Sequence, residues 1–435
     1  MPRWSNMIED LVSRVTEIGS TMLVNHASEE LSLTQKCEAL LSNLGEATGL
    51  ARSKEILEEF KALNQEQKGV FFETVCRDFG VDMKALKSAL DAWQTHPDDE
   101  HSRHIHFASE PRSQELIRRL NLAPGGTAAL VAMREDLILH MKKTPALVSL
   151  DKDIRHLFSS WFNRGFLRLE RIDWSTSANI LEKIIAYEAV HEIQGWDDLR
   201  RRVAASDRRL YAFFHPSLVD DPLIFVEVAL TTDMPDTIGT ILAEERQDLL
   251  PQDASTAVFY SISNCQAGLR GISFGNFLIK QVVEELKREL PELKRFVTMS
   301  PVPGLRRWAN GGSELANQHQ TLVAELDQQE DLFEAGFMAQ KQSQLSQLAV
   351  SYLLDAKNKK DRPYDPVSQF HLGNGARLQQ INLWADRSER GQANSWGVMV
   401  NYEYDLGYIE KNHEAFLCDG IVSASSQVKR LYKQH

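Results

Sequence analysis

The segment Arg270-Gly271-Ile272-Ser273-Phe274-Gly275-Asn276 carries the chemistry most readily read from this 435-residue chain. Its two glycines let a ligand approach the main chain closely, and a loop that opens a helix leaves backbone N–H groups unpaired in the first turn. Such a loop binds anions, and a pyrophosphate fits there. The flanking elements position it. Val258 to Ile262 is an apolar, aromatic and β-branched run suited to a buried strand, whereas Phe277, Leu278, Val282, Val283, Leu286 and Leu290 follow helical spacing. A further strand from Phe296 to Met299 completes a β-α-β crossover, expected to be right-handed with its ligand at the strand C-terminal ends.

Other residue types narrow the possibilities. His96, His101, His104 and His106 crowd the polar stretch 96–111, which reads as a loop. A metal needs converging ligands on fixed elements with outer support, so no metal is expected there. Cys37, Cys76, Cys265 and Cys418 are scattered without CxxC spacing and read as reduced, mostly buried thiols. With 49 basic and 61 acidic residues the net charge is −12, which disfavours nucleic acid as a partner. An anionic ligand must then be drawn by a local basic patch. Arg200, Arg201, Arg202, Arg208 and Arg209 form one candidate, with a solvated face as its alternative reading, and Arg270, Arg306 and Arg307 flank the loop segments. No apolar run approaches the ~20 residues needed to span a bilayer. The amphipathic, acid-bearing N-terminus argues against a secretory signal or a transit peptide, so a cytoplasmic location without membrane association is expected.

The chain divides by periodicity. Residues 1–160 read as an all-helical bundle, with helical spacing in Ile8–Ile18, Leu33–Leu44, Glu55–Leu63, Gly69–Phe79, Met83–Trp93, Ser113–Leu120 and Thr127–Met141. Asn64 with Gln67 forms a capping box, and Gly45, Gly80, Pro97, Pro111 and Pro124-Gly125-Gly126 punctuate the bundle. From Phe166 the pattern becomes α+β. Leu210–Phe214 and Leu223–Leu230 read as strands joined by an Asp220-Asp221-Pro222 turn, and Glu314–Leu354 as a mostly helical layer. The last strands are expected at Gln379–Trp384 and Gly397–Tyr404, before a helix at Asp419–Tyr432.

Arg270-Gly271-x-x-x-Gly275-x-x-Leu278 resembles the pyrophosphate loop of the GCN5-related acetyltransferase superfamily, with Ser273 where that pattern has its first glycine. Further motifs are Ser300-Pro301-Val302-Pro303-Gly304, the run from Pro363 to Ala376 containing Phe370-His371-Leu372, Ile381-Asn382-Leu383-Trp384-Ala385-Asp386 and Asn401-Tyr402-Glu403-Tyr404. Upstream lie Ser160-Trp161-Phe162, Gly165-Phe166-Leu167, Glu188-Ala189-Val190-His191 and Val228-Ala229-Leu230-Thr231. Together they resemble the malonyl-CoA decarboxylase family, over roughly residues 160–430.

That resemblance implies an N-terminal helical oligomerisation domain at 1–160 and an acetyltransferase-like mixed α/β catalytic domain at 161–435. It implies conversion of malonyl-CoA to acetyl-CoA and CO2 in a homodimer or homotetramer. No cofactor is expected beyond the coenzyme A carried by substrate and product, because the thioester carbonyl accepts the electron pair released with CO2. It also implies catalytic roles for Ser300 and His371. His371 is then the expected proton donor, with Ser300 hydrogen-bonding to the substrate or to His371, although the family pattern allows Ser300 to accept the proton. Ser261 and Ser263 are candidates for contacts near the thioester, one of them expected only to pack. Of Tyr402 and Tyr404, one is expected to face the site and the other the core. A Ser/His pair also invites a hydrolase reading, but GxSxG is absent around Ser300. The alternatives are an acyl-CoA-dependent N-acyltransferase and a non-enzymatic acyl-CoA-binding scaffold.

Overall fold

The computed structural model describes residues 12–21, 31–42, 45–272 and 278–433. Within them the architecture is the expected one, a helical bundle followed by a mixed α/β domain. The chain forms two compact units: residues 1–168 with 214–223 and 266–274, and residues 169–213, 224–265 and 275–435.

The first unit is helical. Leu33–Leu41, Glu46–Ala62, Gln65–Asp78, Met83–Thr95, Asp99–Ala108, Arg112–Asn121, Gly126–Met141 and Val148–Trp161 succeed one another through short connections. The Asn64 box forms as read, its side chain accepting from Gln67 N–H while the Gln67 side chain accepts from Asn64 N–H. Phe60, Phe71 and Phe72 pack against one another in the bundle core, Phe71 and Phe72 edge to face and Phe60 tilted against both. The Val148–Trp161 helix, absent from the periodic segments above, buries Leu150, Ile154, Leu157 and Phe158. The histidine-rich stretch is not a loop. It forms the Asp99–Ala108 helix, started by Asp98, whose carboxylate accepts from His101 N–H and also meets the His101 ring. A strong N-cap followed by acids in the first turn outweighs its polarity. Among the described residues no group of three His, Cys, Asp or Glu is placed to hold a metal.

The second unit is built on a sheet with strands β1 (Arg168–Ile172), β2 (Arg208–Phe214), β3 (Pro222–Thr231), β4 (Thr256–Asn264), β5 (Arg295–Thr298), β6 (Ser300–Pro301), β7 (Arg377–Asn382) and β8 (Met399–Glu403). Their order is β1-β2-β3-β4-β5-β8-β6, with β7 also on β8. β4 and β5 are parallel and joined through the Leu278–Glu289 helix, as expected of the crossover. The C-terminal stretch differs from its reading: Ile409–Asp419 and Ser426–Lys433 are separate helices, because Gly420 takes the left-handed conformation that ends the first.

Two irregularities open this sheet where the site forms. β3 and β4 slip register between Glu227 and Val228, leaving Tyr260 as the extra residue of a bulge. β5 pairs with β4 only as far as Phe259 and Thr298, after which the chain leaves β4 and pairs Ser300 and Pro301 with β8. The outer part of β4 and the β6 turn therefore diverge. Pro301, which has no N–H to donate, fits the sheet edge where β6 lies.

No helix among the described residues is long and apolar enough to cross a membrane. The cysteines are free, with Cys37 and Cys265 buried, Cys76 half-buried and Cys418 exposed.

Candidate active site

The gap between β4 and β6 is a cavity of about 250 Å³. Val190, Ile262, Met299, Val367 and Phe370 give it apolar walls, and Tyr260, Ser261, Asn264, Ser300 and His371 are the polar residues among its lining.

Ser300 reaches the cavity because the chain turns from β5 to β6 there. His371 comes from the Pro366–Gly373 helix. The signal for that helix was present: Asp365 is an N-cap accepting from Ser368 N–H at 2.8 Å, and Pro366 occupies the first turn. Asp365 does more than cap. Its carboxylate also accepts from the Tyr352 hydroxyl at 3.0 Å and from the backbone of Gly304, the residue that closes the Ser300 turn. A Cβ at Gly304 would stand 2.2 Å from that hydroxyl.

Across this junction His371 Nε2 and Ser300 Oγ meet at 3.1 Å. Ser300 Oγ donates to Thr298 Oγ1 at 2.8 Å, so its only proton is engaged. His371 Nε2 must then carry the hydrogen of the Ser300 contact. A neutral imidazole has one N–H, so Nδ1 accepts from the Tyr404 hydroxyl 2.7 Å away. The resting chain of donors runs Tyr404 to His371 to Ser300 to Thr298. Complete burial pushes the His371 pKa down to about 3 and the Tyr404 phenol well above its ordinary value, so both are neutral near pH 7. His371 is therefore not an imidazolium switching near neutrality; any proton it gives comes from a neutral N–H.

Tyr402 and Tyr404 both serve this ring, which corrects the expectation that they divide between site and core. Residues two apart on a strand share a face. Tyr402 stacks on His371 with centroids 4.7 Å apart and planes at 22°, and its hydroxyl bonds Ser368 at 2.6 Å. At 1% exposure it supports the histidine and is not positioned to bind the ligand directly.

Ser261 and Ser263 share one partner, Glu188. Its carboxylate accepts from Ser261 at 2.8 Å and Ser263 at 3.0 Å, and from the backbone N–H groups of Val190 and His191 at 2.7 Å each. Of the two serines only Ser261 borders the cavity. Glu188 and Thr298 are the residues that the sequence does not place in the site; Glu188 stands out there only as part of a motif.

The 270–276 segment, expected from its sequence to bind an anion, is described in its first half. Gly271 has φ +77°, a conformation that favours glycine, while Arg270 is exposed and Ile272 buried. Ser273, Phe274, Gly275 and Asn276 lie outside the described residues. Three members of the arginine cluster are buried and engaged within the chain. Arg202 is buried against Asp198 and Glu227, Arg208 donates to the Ile241 carbonyl, and Arg209 pairs with Glu289. Arg200 lies over the Trp174 ring, and Arg306 pairs with Asp327.

Comparison with known proteins bears on this arrangement. The family model for the malonyl-CoA decarboxylase C-terminal domain matches residues 165–435, and that for the N-terminal domain matches 79–162. Mitochondrial malonyl-CoA decarboxylase of Anser anser anser is 33% identical over 423 residues, spanning 88% of this chain and 83% of that protein. The Rattus norvegicus protein of the same name is 34% identical over 362 residues, 76% and 73% of the two chains. Among crystal structures, malonyl-CoA decarboxylase from Rhodopseudomonas palustris matches with a TM-score of 0.89 at 51% identity, over 92% of this chain and 98% of that one. The Agrobacterium vitis protein gives 0.86 at 50%, over 92% and 99%.

Proposed function

The chain belongs to the malonyl-CoA decarboxylase family, and on that footing we propose that it is a carboxy-lyase converting malonyl-CoA to acetyl-CoA and CO2. The observation that carries the proposal is the Ser300–His371 contact on the wall of an apolar-sided cavity. Apolar walls strip water from the malonyl carboxylate, and the released charge moves onto the thioester. The bond between carboxylate and α-carbon breaks, its electron pair passes into the thioester carbonyl as an enolate, and CO2 leaves. The pair then returns to the α-carbon, which takes a proton.

A thioester enolate is basic enough to draw that proton from a neutral donor. The Ser300 hydroxyl, turned from Thr298 into the cavity, gives it to carbon. His371 Nε2–H replaces it, and the Tyr404 hydroxyl at Nδ1 stabilises the charge that builds on the ring. Solvent restores the proton after release, so one proton is consumed per turnover. Nothing in this scheme calls for a metal or an organic cofactor, because the substrate is its own electron sink. The loop at Arg270, Gly271 and Ile272, continuing through Ser273, Phe274, Gly275 and Asn276, is assigned to the coenzyme A pyrophosphate.

The deciding experiment is chromatography of malonyl-CoA after incubation with pure, metal-stripped protein and no amine. Acetyl-CoA and CO2 in equal amounts are expected. Loss of activity on chelation, restored by one metal, would overturn the cofactor-free scheme, and turnover only with an added amine would make the protein an N-acyltransferase. The proposal also includes self-association through the helical region as a dimer or tetramer in the cytoplasm. Light scattering of the full-length protein at micromolar concentration tests it, and a monomer would refute it.

A further inference from the structure

We propose that Arg202 is a positioning residue that holds Val190 in the cavity wall and thereby decides whether the substrate's α-carbon can carry a substituent; the inference rests on the decarboxylase reading. Val190 lies in residues 188–195, which form neither helix nor strand between the Ala178–Tyr187 and Trp196–Val203 helices. A side chain on such a stretch keeps one position only if the backbone is held from outside, since it has no ladder of its own. Side chains from other elements hold it on both flanks of Val190. Before it, Glu188 is fixed by Ser261 and Ser263, and Ala189 N–H donates to Ser263 Oγ at 3.2 Å. After it, Arg202 donates from Nη1 to the His191 carbonyl at 2.8 Å and from Nη2 to the Glu192 carbonyl at 3.1 Å.

Arg202 is 6% exposed, and its remaining N–H groups go to Asp198 on its own helix and, at 3.1 Å, to Glu227 of β3. Glu227 is fully buried where β3 and β4 slip register. The same carboxylate interacts with the side chain of Tyr260, the bulged residue that also lines the cavity. One guanidinium therefore ties the Val190 stretch to the strand pair beside it. A buried ion pair contributes little net stability, because desolvation offsets its attraction. What a planar fork with every N–H engaged does well is fix the direction of the groups it holds. The result is a wall that does not yield. Ser300 delivers its proton to the α-carbon, so that carbon lies in the cavity that Ser300 and Val190 both line, and a methyl group added there meets the wall.

The test compares kcat/KM of the full-length protein for malonyl-CoA and for methylmalonyl-CoA, which differs by one methyl group on the α-carbon. Wild-type protein should favour malonyl-CoA by roughly tenfold or more. Val190→Ala trims the wall without touching the groups that hold its backbone, and the ratio should fall about tenfold toward unity. Arg202→Lys keeps a positive charge opposite Asp198 and Glu227 but cannot serve two carboxylates and two carbonyls at once, so the ratio should fall in the same direction. A merely structural role would lower both activities by one factor, and an unchanged ratio in Arg202→Lys would overturn the proposal. Should Arg202→Lys fail to fold, Glu227→Gln, which weakens the hold on Arg202 by removing the charge, supplies the same measurement. An unchanged ratio in Val190→Ala, or a wild type that turned over both thioesters equally, would likewise overturn it. A wild type that left malonyl-CoA intact would instead sink the decarboxylase reading.

Discussion

The Tyr404 hydroxyl lies 2.7 Å from His371 Nδ1, and Ser300 meets the other ring nitrogen at 3.1 Å. The tyrosine selects the tautomer that aims Nε2–H at the serine. Tyr404→Phe removes that selection while keeping the ring, so kcat should fall by about tenfold to a hundredfold with KM nearly unchanged. Full activity would mean that Ser300 and His371 need no third partner.

Ser300 and His371 act in this scheme as one unit. His371→Asn keeps a polar side chain but loses the relay, and kcat should drop by roughly 10²-fold or more. Ser300→Ala should also lower kcat, with coenzyme A affinity in calorimetry retained. The double variant should be little worse than the poorer single one. Losses that multiply would assign the two residues independent roles.

Burial lowers the His371 pKa to about 3, against roughly 6.5 in an unfolded chain. Between those values the unfolded state binds a proton that the folded state does not. The contribution of His371 to stability is therefore complete above about pH 6.5 and falls as pH drops toward 3. NMR signals of the His371 ring should stay fixed between pH 8 and 5 in the folded protein. A titration centred near 6.5 would contradict the neutral relay.

Glu188→Gln tests the support beneath the cavity floor. The amide cannot accept at both ends, so the donors of Ser261, Ser263, Val190 and His191 compete for one oxygen. A loss of about 2 kcal/mol in denaturant unfolding is expected, together with a higher KM, because Ser261 borders the cavity. Unaltered stability would show that the serines find other partners.

Much of this was legible where the signal is local. Asn64 and Gln67 declare a helix start by side-chain chemistry alone, and the β4-helix-β5 unit follows from periodicity. The Asp99–Ala108 helix was obscured by its polarity, and the His371 helix by the glycines and prolines around Asp365 and Pro366, although those two residues are themselves a start signal. The pairing of Tyr402 with Tyr404 on one face needed only the two-residue repeat of a strand. What local pattern does not contain is closure: the 71 positions between Ser300 and His371, and the meeting of Glu188 with two serines over seventy residues later, arise from strand order and register.

The Gly304–Tyr352–Asp365 junction changes how inherited or engineered variants of this chain should be interpreted. None of the three borders the cavity, yet the Ser300 turn and the His371 helix are joined through them. Gly304→Ala would force the Tyr352 hydroxyl aside and part the two, giving a folded, soluble, inactive protein. An activity screen would score that position as catalytic. Circular dichroism matching wild type, with kcat lost and coenzyme A still bound, would reveal a fault of alignment, and retained activity in Gly304→Ala would show that the junction tolerates being pried open.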